Sequence, residues 1–398
     1  MRNLFKYSQI RISNTSDKFV RYLYNEIEWE DRLIGITGAR GTGKTTLMLQ
    51  YLKKNHNASS DALYITMDDF YFTKNRLFDL AEEFYTNGGR YLYIDEVHKY
   101  QHWSVEIKNL YDTYSDLNIV FSGSSALELH KSDGDLSRRV AMYHLHELSF
   151  REYLNLTHKS NIKAYSLKDI IDNQANIIPE IINNKSILPE FKTYLEKGAY
   201  PFFIDTKGQY YDRLVNTINV IIENDLQSIE NINYHTTSKL RKLISLIADS
   251  VPFKVNISEL SRKADLSRDV LLKLLDSLDR ANLITNIRQK GAPTGHLTKP
   301  DKIYINNTAL LNALNTNKEI SIGTVRETFF MNQLSLNHKL NTIPKGDFLV
   351  DNKYTFEIGG KNKTKKQIAN IENAFIVADD IEYGYKETIP LWLFGFLY

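Results

Sequence analysis

The chain has 398 residues, 42% of them hydrophobic and 25% charged, a balance that supports folded cores in about two to four domains and excludes a disordered chain. Its formal net charge of +2 gives no bulk argument for nucleic acid, so such a partner has to be read from local patches. The absence of cysteine excludes disulfides, thiolate catalysis and cysteine zinc sites, and suits a reducing cytoplasm. Met1-Arg2-Asn3-Leu4-Phe5-Lys6 has no apolar signal core, and the closing run Leu391–Tyr398 is far shorter than the roughly 20 residues of a membrane span, so a cytoplasmic location without membrane contact is expected.

In chain order, the first strand signal is Leu33–Thr37. It runs directly into Gly38-Ala39-Arg40-Gly41-Thr42-Gly43-Lys44-Thr45, which has the phosphate-loop spacing G-x-x-x-x-G-K-[ST] and precedes a helix over 44–54. Glycines let the backbone curl so that successive N–H groups face an anion, and the helix start adds its positive dipole end. The stretch Gly38, Ala39, Arg40, Gly41, Thr42, Gly43, Lys44, Thr45 and Thr46 is therefore expected to hold a nucleoside triphosphate, with Lys44 on the β/γ oxygens and Thr45 on magnesium. Further on come a strand at Ala62–Met67, a helix at 75–86 and a strand at Tyr91–Asp95. That last apolar run ends in two acids about 50 residues after Lys44. Asp95 is expected to hold magnesium and Glu96 to polarise the attacking water. A helix at 103–115 places Trp103, Ile107, Leu110, Tyr111 and Tyr114 three and four apart, which reads as packing, and a strand at Asn118–Ser122 follows. Strands alternating with helices in this way predict a parallel sheet covered on both faces, an α/β core.

His98 and His102 stand four apart without the adjacent glutamate of a zinc helix, and His144 and His146 would share a strand face with nothing to complete a tetrahedral site; both pairs read as packing. After Phe150 helical patterns dominate to about residue 230, broken at Gly198-Ala199-Tyr200-Pro201, which suits a lid or linker. Residues 237–306 then read as three helices and two strands, the order of a winged helix. Ser267 caps the third helix, Val270, Leu271, Leu274, Leu275 and Leu278 form its buried stripe, and Arg268 and Lys273 face outward.

The last segment carries Asp347, then Glu357 in Tyr354-Thr355-Phe356-Glu357-Ile358-Gly359-Gly360-Lys361, then Lys363, Lys365, Lys366 and Gln367. Two carboxylates at strand ends with a lysine nearby are the set a metal-dependent nuclease uses. The lysine usually stands two residues after the second acid. Gly359 occupies that place and Lys361 comes two later, so a nuclease-like fold without cleavage is expected.

Taken together, Gly38–Thr45, the run Ile94-Asp95-Glu96-Val97-His98-Lys99 with Trp103, Phe121-Ser122-Gly123-Ser124-Ser125, Glu147-Leu148-Ser149-Phe150-Arg151-Glu152-Tyr153-Leu154, and Phe356–Gly360 with Gln367 resemble a group of bacterial and archaeal AAA-type ATPases. In that group the ATPase core is followed by a winged helix and a C-terminal domain of uncharacterised function. The resemblance covers nearly the whole chain and implies ATP with Mg2+ as the ligands. It also implies a sensor at Ser122 or Ser124 and a catalytic arginine at Arg139, where Arg138 replaces the glycine of the family pattern. The expected map is an AAA-type core over 1–149, a helical lid or linker over 150–232, a winged helix over 233–310 and a restriction-endonuclease-like α/β domain over 311–398. The expected activity is ATP hydrolysis with Glu96, Lys44 and Arg139 as catalytic residues, coupled to duplex DNA or a protein partner through 233–310 and 345–367, with oligomerisation open. A non-hydrolysing nucleotide-binding regulator and an ATP-gated nuclease are the alternatives.

Overall fold

Four nearly continuous apolar runs and a fifth, more exposed strand pair side by side as a parallel sheet. The computed structural model describes residues 1–56, 59–123, 136, 138–182, 186–206, 208–226, 234–249, 253–254, 256–291, 298–315 and 319–398. These residues divide into two compact units, Met1–Glu147 and Leu148–Tyr398.

The first unit runs α1 (Arg2–Asn14), β1 (Leu33–Thr37), α2 (Lys44–Asn55), β2 (Ala62–Thr66), α3 (Leu77–Thr86), β3 (Tyr91–Asp95), α4 (Trp103–Thr113), β4 (Asn118–Ser122) and β5 (Ala141–His144). Its strands are all parallel, in the order β2-β3-β4-β1-β5. Every residue of β1 is buried, as suits a central strand covered on both faces. Alternation sends Leu33, Leu92, Ile94, Ile119 and Phe121 to one face, where they pack with Leu80, Phe84, Ile107 and Leu110. Ile34, Ile36, Tyr93 and Val120 go to the other, against Leu47, Met48 and Leu52 of α2. Trp103 belongs to the first of these cores and Tyr111 and Tyr114 flank it, so the α4 stripe is packing. The N-terminal helix α1 was not legible in the sequence. It lies along β2, the edge strand, where the Ser8 hydroxyl accepts from the Tyr64 N–H at 3.0 Å and so satisfies an edge donor.

The second unit opens with α5 (Phe150–His158), α6 (Leu167–Ile182), α7 (Leu188–Lys197) and α8 (Tyr210–Val220). Ser149 and Glu152 form a reciprocal capping box at the start of α5. Next come α9 (Tyr234–Ala248), β6 (Phe253–Lys254), α10 (Ile257–Ala264), α11 (Arg268–Arg280), β7 (Ile284–Gln289) and β8 (Lys302–Ile305). The unit closes with α12 (Thr308–Leu314), α13 (Ile322–Ser335), β9 (Leu340–Thr342), β10 (Phe348–Val350), β11 (Tyr354–Gly359), β12 (Ala374–Ala378) and β13 (Thr388–Pro390). Its eight strands form a single mixed sheet in the order β13-β12-β11-β10-β9-β7-β8-β6. The join is β7 with β9, a parallel pairing of Arg288 with Asn341 and Gln289 with Thr342, so residues 233–310 and 311–398 share one sheet. Phe329, Phe330, Phe348, Phe356, Trp392, Phe394 and Phe396 are fully buried around it. Ser267 caps α11 by accepting from the Val270 N–H. Val270 itself departs from the expected stripe. It is 40% exposed, and Leu272 is buried in its stead beside Leu271, Leu274, Leu275 and Leu278. The apolar face of α11 is therefore rotated by part of a turn relative to the one read from spacing.

Candidate nucleotide site

The site is built where β1, β3 and β4 end. Because parallel strands share one direction, the loop after β1 and the acids after β3 emerge on the same edge of the sheet. Gly38, Gly41 and Gly43 have φ of +148°, +88° and +102°, values that L side chains rarely adopt. A Cβ on Gly38 would lie 2.3 Å from the Leu145 carbonyl oxygen, so this glycine is also needed for close approach to the end of β5. Helix α2 begins at Lys44, and its cap residue Gly43 brings no side-chain acceptor; the first turn of such a helix is a favourable place for an anion. Lys44 is buried and its Nζ donates to the carbonyls of Gly38 at 2.9 Å and Ala39 at 3.0 Å, laying the ammonium across the mouth of the loop.

The loop is tethered by a residue that sequence reasoning missed. The buried Arg21 guanidinium donates to the carbonyls of Thr42, of His146 at 2.7 Å and of Glu147 at 3.1 Å. It satisfies three buried acceptors at once and joins the phosphate loop to the chain just past β5. An arginine outside any motif, 21 residues from one partner and 125 from another, carries no sequence signal of such a role.

Around Asp95 four donors converge. Oδ2 accepts from Thr45 Oγ1 at 2.6 Å and from the Tyr64 hydroxyl at 2.7 Å; Oδ1 accepts from Ser122 Oγ and from the Glu96 N–H at 3.2 Å. The expected phosphate-loop threonine, first acid and sensor serine thus meet at one carboxylate, with Tyr64 as an addition. Ser124, the other sensor candidate, lies outside the described residues. Glu96 has a left-handed backbone, φ +55°, which turns it off the strand. Its Oε2 stands 3.3 Å from His98 Nε2. Burial, with Lys99, Lys44 and Arg40 nearby, pushes the His98 imidazole down to about 3, so the ring beside Glu96 is neutral and this contact is not an ion pair.

The second histidine pair contacts neighbouring side chains. β5 ends at His144, so His146 lies past the strand on which it was expected. His144 Nδ1 is 3.1 Å from Thr37 Oγ1, and burial together with His146 pushes its ring down to about 4. His146 Nδ1 lies 2.6 Å from Glu147 Oε2. Among the described residues no group of three or more histidines and acids is arranged to hold a metal ion. Magnesium at Thr45 and Asp95 would therefore be held by a hydroxyl and one carboxylate, with water and phosphate oxygens for the rest; such hard oxygen donors fit that ion.

Arg139 is not brought to this site. It precedes β5, whose first residue Ala141 is level with Ile34 near the start of β1, so it sits toward the sheet edge opposite the phosphate loop. Its guanidinium is engaged with Asp112 at the end of α4, at 2.8 and 3.0 Å, and holds that carboxyl below its usual range. Arg138 is exposed.

In the second unit, Asp347 Oδ2 accepts from the Ile358 N–H at 2.7 Å, which sets it beside Glu357. Glu357 is buried, and burial raises its carboxyl above the usual range. Its partner is Lys363, with Nζ 2.5 Å from Oε1, while Lys361 is exposed. A Cβ on Gly359 would lie 2.6 Å from Lys363 Cδ, so the Lys363 chain crosses the space a side chain at 359 would take. On α11, Arg268 and Lys273 are exposed.

No helix among the described residues is long and apolar enough to cross a membrane. Residues 30–154 match the family model described as an AAA domain, and residues 188–321 match a domain of unknown function, DUF8612. The uncharacterized protein MJ1637 of Methanocaldococcus jannaschii is 28% identical over 300 residues, a match covering 72% of this chain and 62% of that protein. Solved structures with similarity include AMPPCP-bound DnaA from Aquifex aeolicus, with TM-score 0.27 and 13% identity over 65% of this chain and 84% of that one. C. elegans PCH-2 has TM-score 0.24 and 18% identity over 39% of this chain and 43% of that one. With the phosphate loop, the parallel five-stranded sheet and the family match in agreement, residues 30–154 of this chain are a P-loop ATPase domain of the AAA family.

Proposed function

We propose that this protein binds ATP with magnesium across residues 38–46 and hydrolyses it. The observation that carries the reading is the convergence of Thr45, Ser122 and Asp95 beneath the loop, with Glu96 next in the chain and turned off the strand. Lys44 exchanges its carbonyl partners for the β/γ oxygens, the backbone N–H groups of 38–46 take the remaining phosphate charge, and Ser122 orients Asp95. Thr45 and Asp95 hold magnesium, which neutralises charge on the phosphates. Glu96 accepts a proton from the attacking water. The His98 ring beside the Glu96 carboxylate is neutral and brings it no counter-charge.

Arg139 acts on the phosphates of a second copy of the chain, because its own loop lies toward the other edge of the sheet. Phosphate release from ATP therefore requires Mg2+, and turnover per subunit rises with protein concentration; in Arg139→Ala it stays flat while ATP affinity is kept. No Mg2+-dependent release at any concentration would overturn the hydrolytic reading and favour a non-hydrolysing regulator.

Residues 233–310 act as a winged helix and, with 345–367, engage duplex DNA or a protein partner. The order α9-β6-α10-α11-β7-β8 and the exposed Arg268 and Lys273 on the third of these helices support this. Adding duplex DNA at low salt to the phosphate-release assay separates the two partners, since stimulation selects DNA. Residues 311–398 keep a nuclease-like arrangement without cleavage, for Lys363 neutralises the Glu357 carboxylate that a metal would need. Supercoiled plasmid is expected to survive prolonged incubation with the protein in Mg2+ or Mn2+; nicking lost in Asp347→Asn and Glu357→Gln would establish the gated nuclease.

A further inference from the structure

Asp95 is linked to the protein surface through a chain of hydrogen bonds that the phosphate chemistry does not itself require. The Tyr64 hydroxyl lies 2.7 Å from Asp95 Oδ2, and Arg11 Nη1 lies 3.1 Å from the Tyr64 oxygen. A guanidinium offers only donors, so the tyrosine oxygen accepts from Arg11 and its single proton goes to Asp95. Polarity therefore runs one way, from Arg11 through Tyr64 to the carboxylate. The Arg11 guanidinium also sits over the Tyr64 ring, 5.5 Å from its centre.

Tyr64 is held at both ends by α1. Its backbone N–H donates to Ser8 Oγ at 3.0 Å and its hydroxyl receives Arg11. Ser8 and Arg11 are three apart, on one face of the helix. Tyr64 is buried, whereas Arg11 is exposed at the rim of a groove lined by Tyr7, Ile10, Thr66 and Asp69. The relay thus joins a solvent-facing helix to a buried carboxylate, all within the first unit.

We propose that Tyr64 is a positioning residue for the magnesium carboxylate and that Arg11 sets it, so that the docking of α1 on β2 tunes the cation affinity of the nucleotide site. The inference rests on the Mg2+–ATP reading above. Asp95 has two donors on each oxygen. A threonine hydroxyl still has lone pairs for a cation while it donates its proton. Tyr64 is the one of the four donors that comes from β2, beyond the strand that carries Asp95. Without it, Oδ2 is held by Thr45 alone, the group that must also serve the cation.

The test is the affinity of a fluorescent ATP analogue, titrated in EDTA and over a range of Mg2+, for wild type, Tyr64→Phe, Arg11→Gln and the double variant. Tyr64→Phe is expected to raise the Mg2+ needed for half-maximal tightening about tenfold, as for other outer-shell donors, and to leave the affinity in EDTA unchanged. Arg11→Gln gives a smaller shift of about threefold, and the double variant is no worse than Tyr64→Phe, because both act through one path. A wild-type response to Mg2+ that Tyr64→Phe shares in full overturns the relay alone. Equal losses in EDTA and in Mg2+ make Tyr64 merely structural and overturn it too. Wild-type affinity that ignores Mg2+ overturns the magnesium site and the relay with it.

Discussion

Glu96→Gln is expected to bind ATP with an affinity within about twofold of wild type and to release phosphate about 10²- to 10³-fold more slowly, the usual contribution of a positioned base. The substitution is nearly isosteric, and the backbone that places the residue is held by groups it does not touch. The Glu96 N–H donates to Asp95 Oδ1 and, at 3.3 Å, to Ser122 Oγ. Thr45, Ser122 and Asp95 keep their mutual bonds, so the phosphate loop and the cation ligands stay intact. What is lost is a carboxylate able to take a proton. Steady-state phosphate release and equilibrium binding, measured on the same preparations, separate the two effects. Equal turnover in both forms would remove Glu96 from the chemistry, and equal, negligible turnover would leave a nucleotide-binding regulator.

Gly38→Ala is expected to weaken ATP binding at least about tenfold and to destabilise the first unit by about 2–3 kcal/mol, through backbone strain and a collision together. At φ +148° a side chain is strained whatever the space, and here the new Cβ would meet the Leu145 carbonyl oxygen at 2.3 Å. Neither partner is a flexible side chain. The loop has to lift from the end of β5, and its N–H groups leave the positions that face the phosphates. Gly88→Ala is the matched control, with φ +91° and nothing within 4 Å of the added carbon. It carries strain alone, costs about 1 kcal/mol, and leaves nucleotide binding unchanged. Urea unfolding midpoints and nucleotide titrations check both; a Gly38→Ala protein that binds ATP like wild type would mean that the loop tolerates displacement from β5.

What the sequence by itself determined is the chemistry that is contiguous in the chain. Eight neighbouring residues, Gly38 to Thr45, spell a loop whose geometry comes from local backbone freedom, and apolar runs ending in acid or hydroxyl at Asp95 and Ser122 announce buried parallel strands by their length and composition. Strand direction then puts those ends on one edge, which is why the α/β core and the pairing of Thr45 with Asp95 at one magnesium site were legible, whereas Ser122 was offered by the family resemblance with Ser124 as its alternative. Elements of two or three residues, such as β6, β9 and β13, are too short to show a period, and the amphipathic signal of α1 lies in a polar stretch with no motif beside it. Only the tertiary structure decided which distant side chains finish the site. Arg21 reaches the loop, Tyr64 and Arg11 reach Asp95, Arg139 goes to Asp112, and Lys363 rather than Lys361 meets Glu357. Pairing β7 with β9 likewise joined two segments into one sheet through two residue pairs. Each of these depends on the packing that brings separated segments within hydrogen-bond distance, and hydrogen bonding acts over about 3 Å of space whatever the distance along the chain.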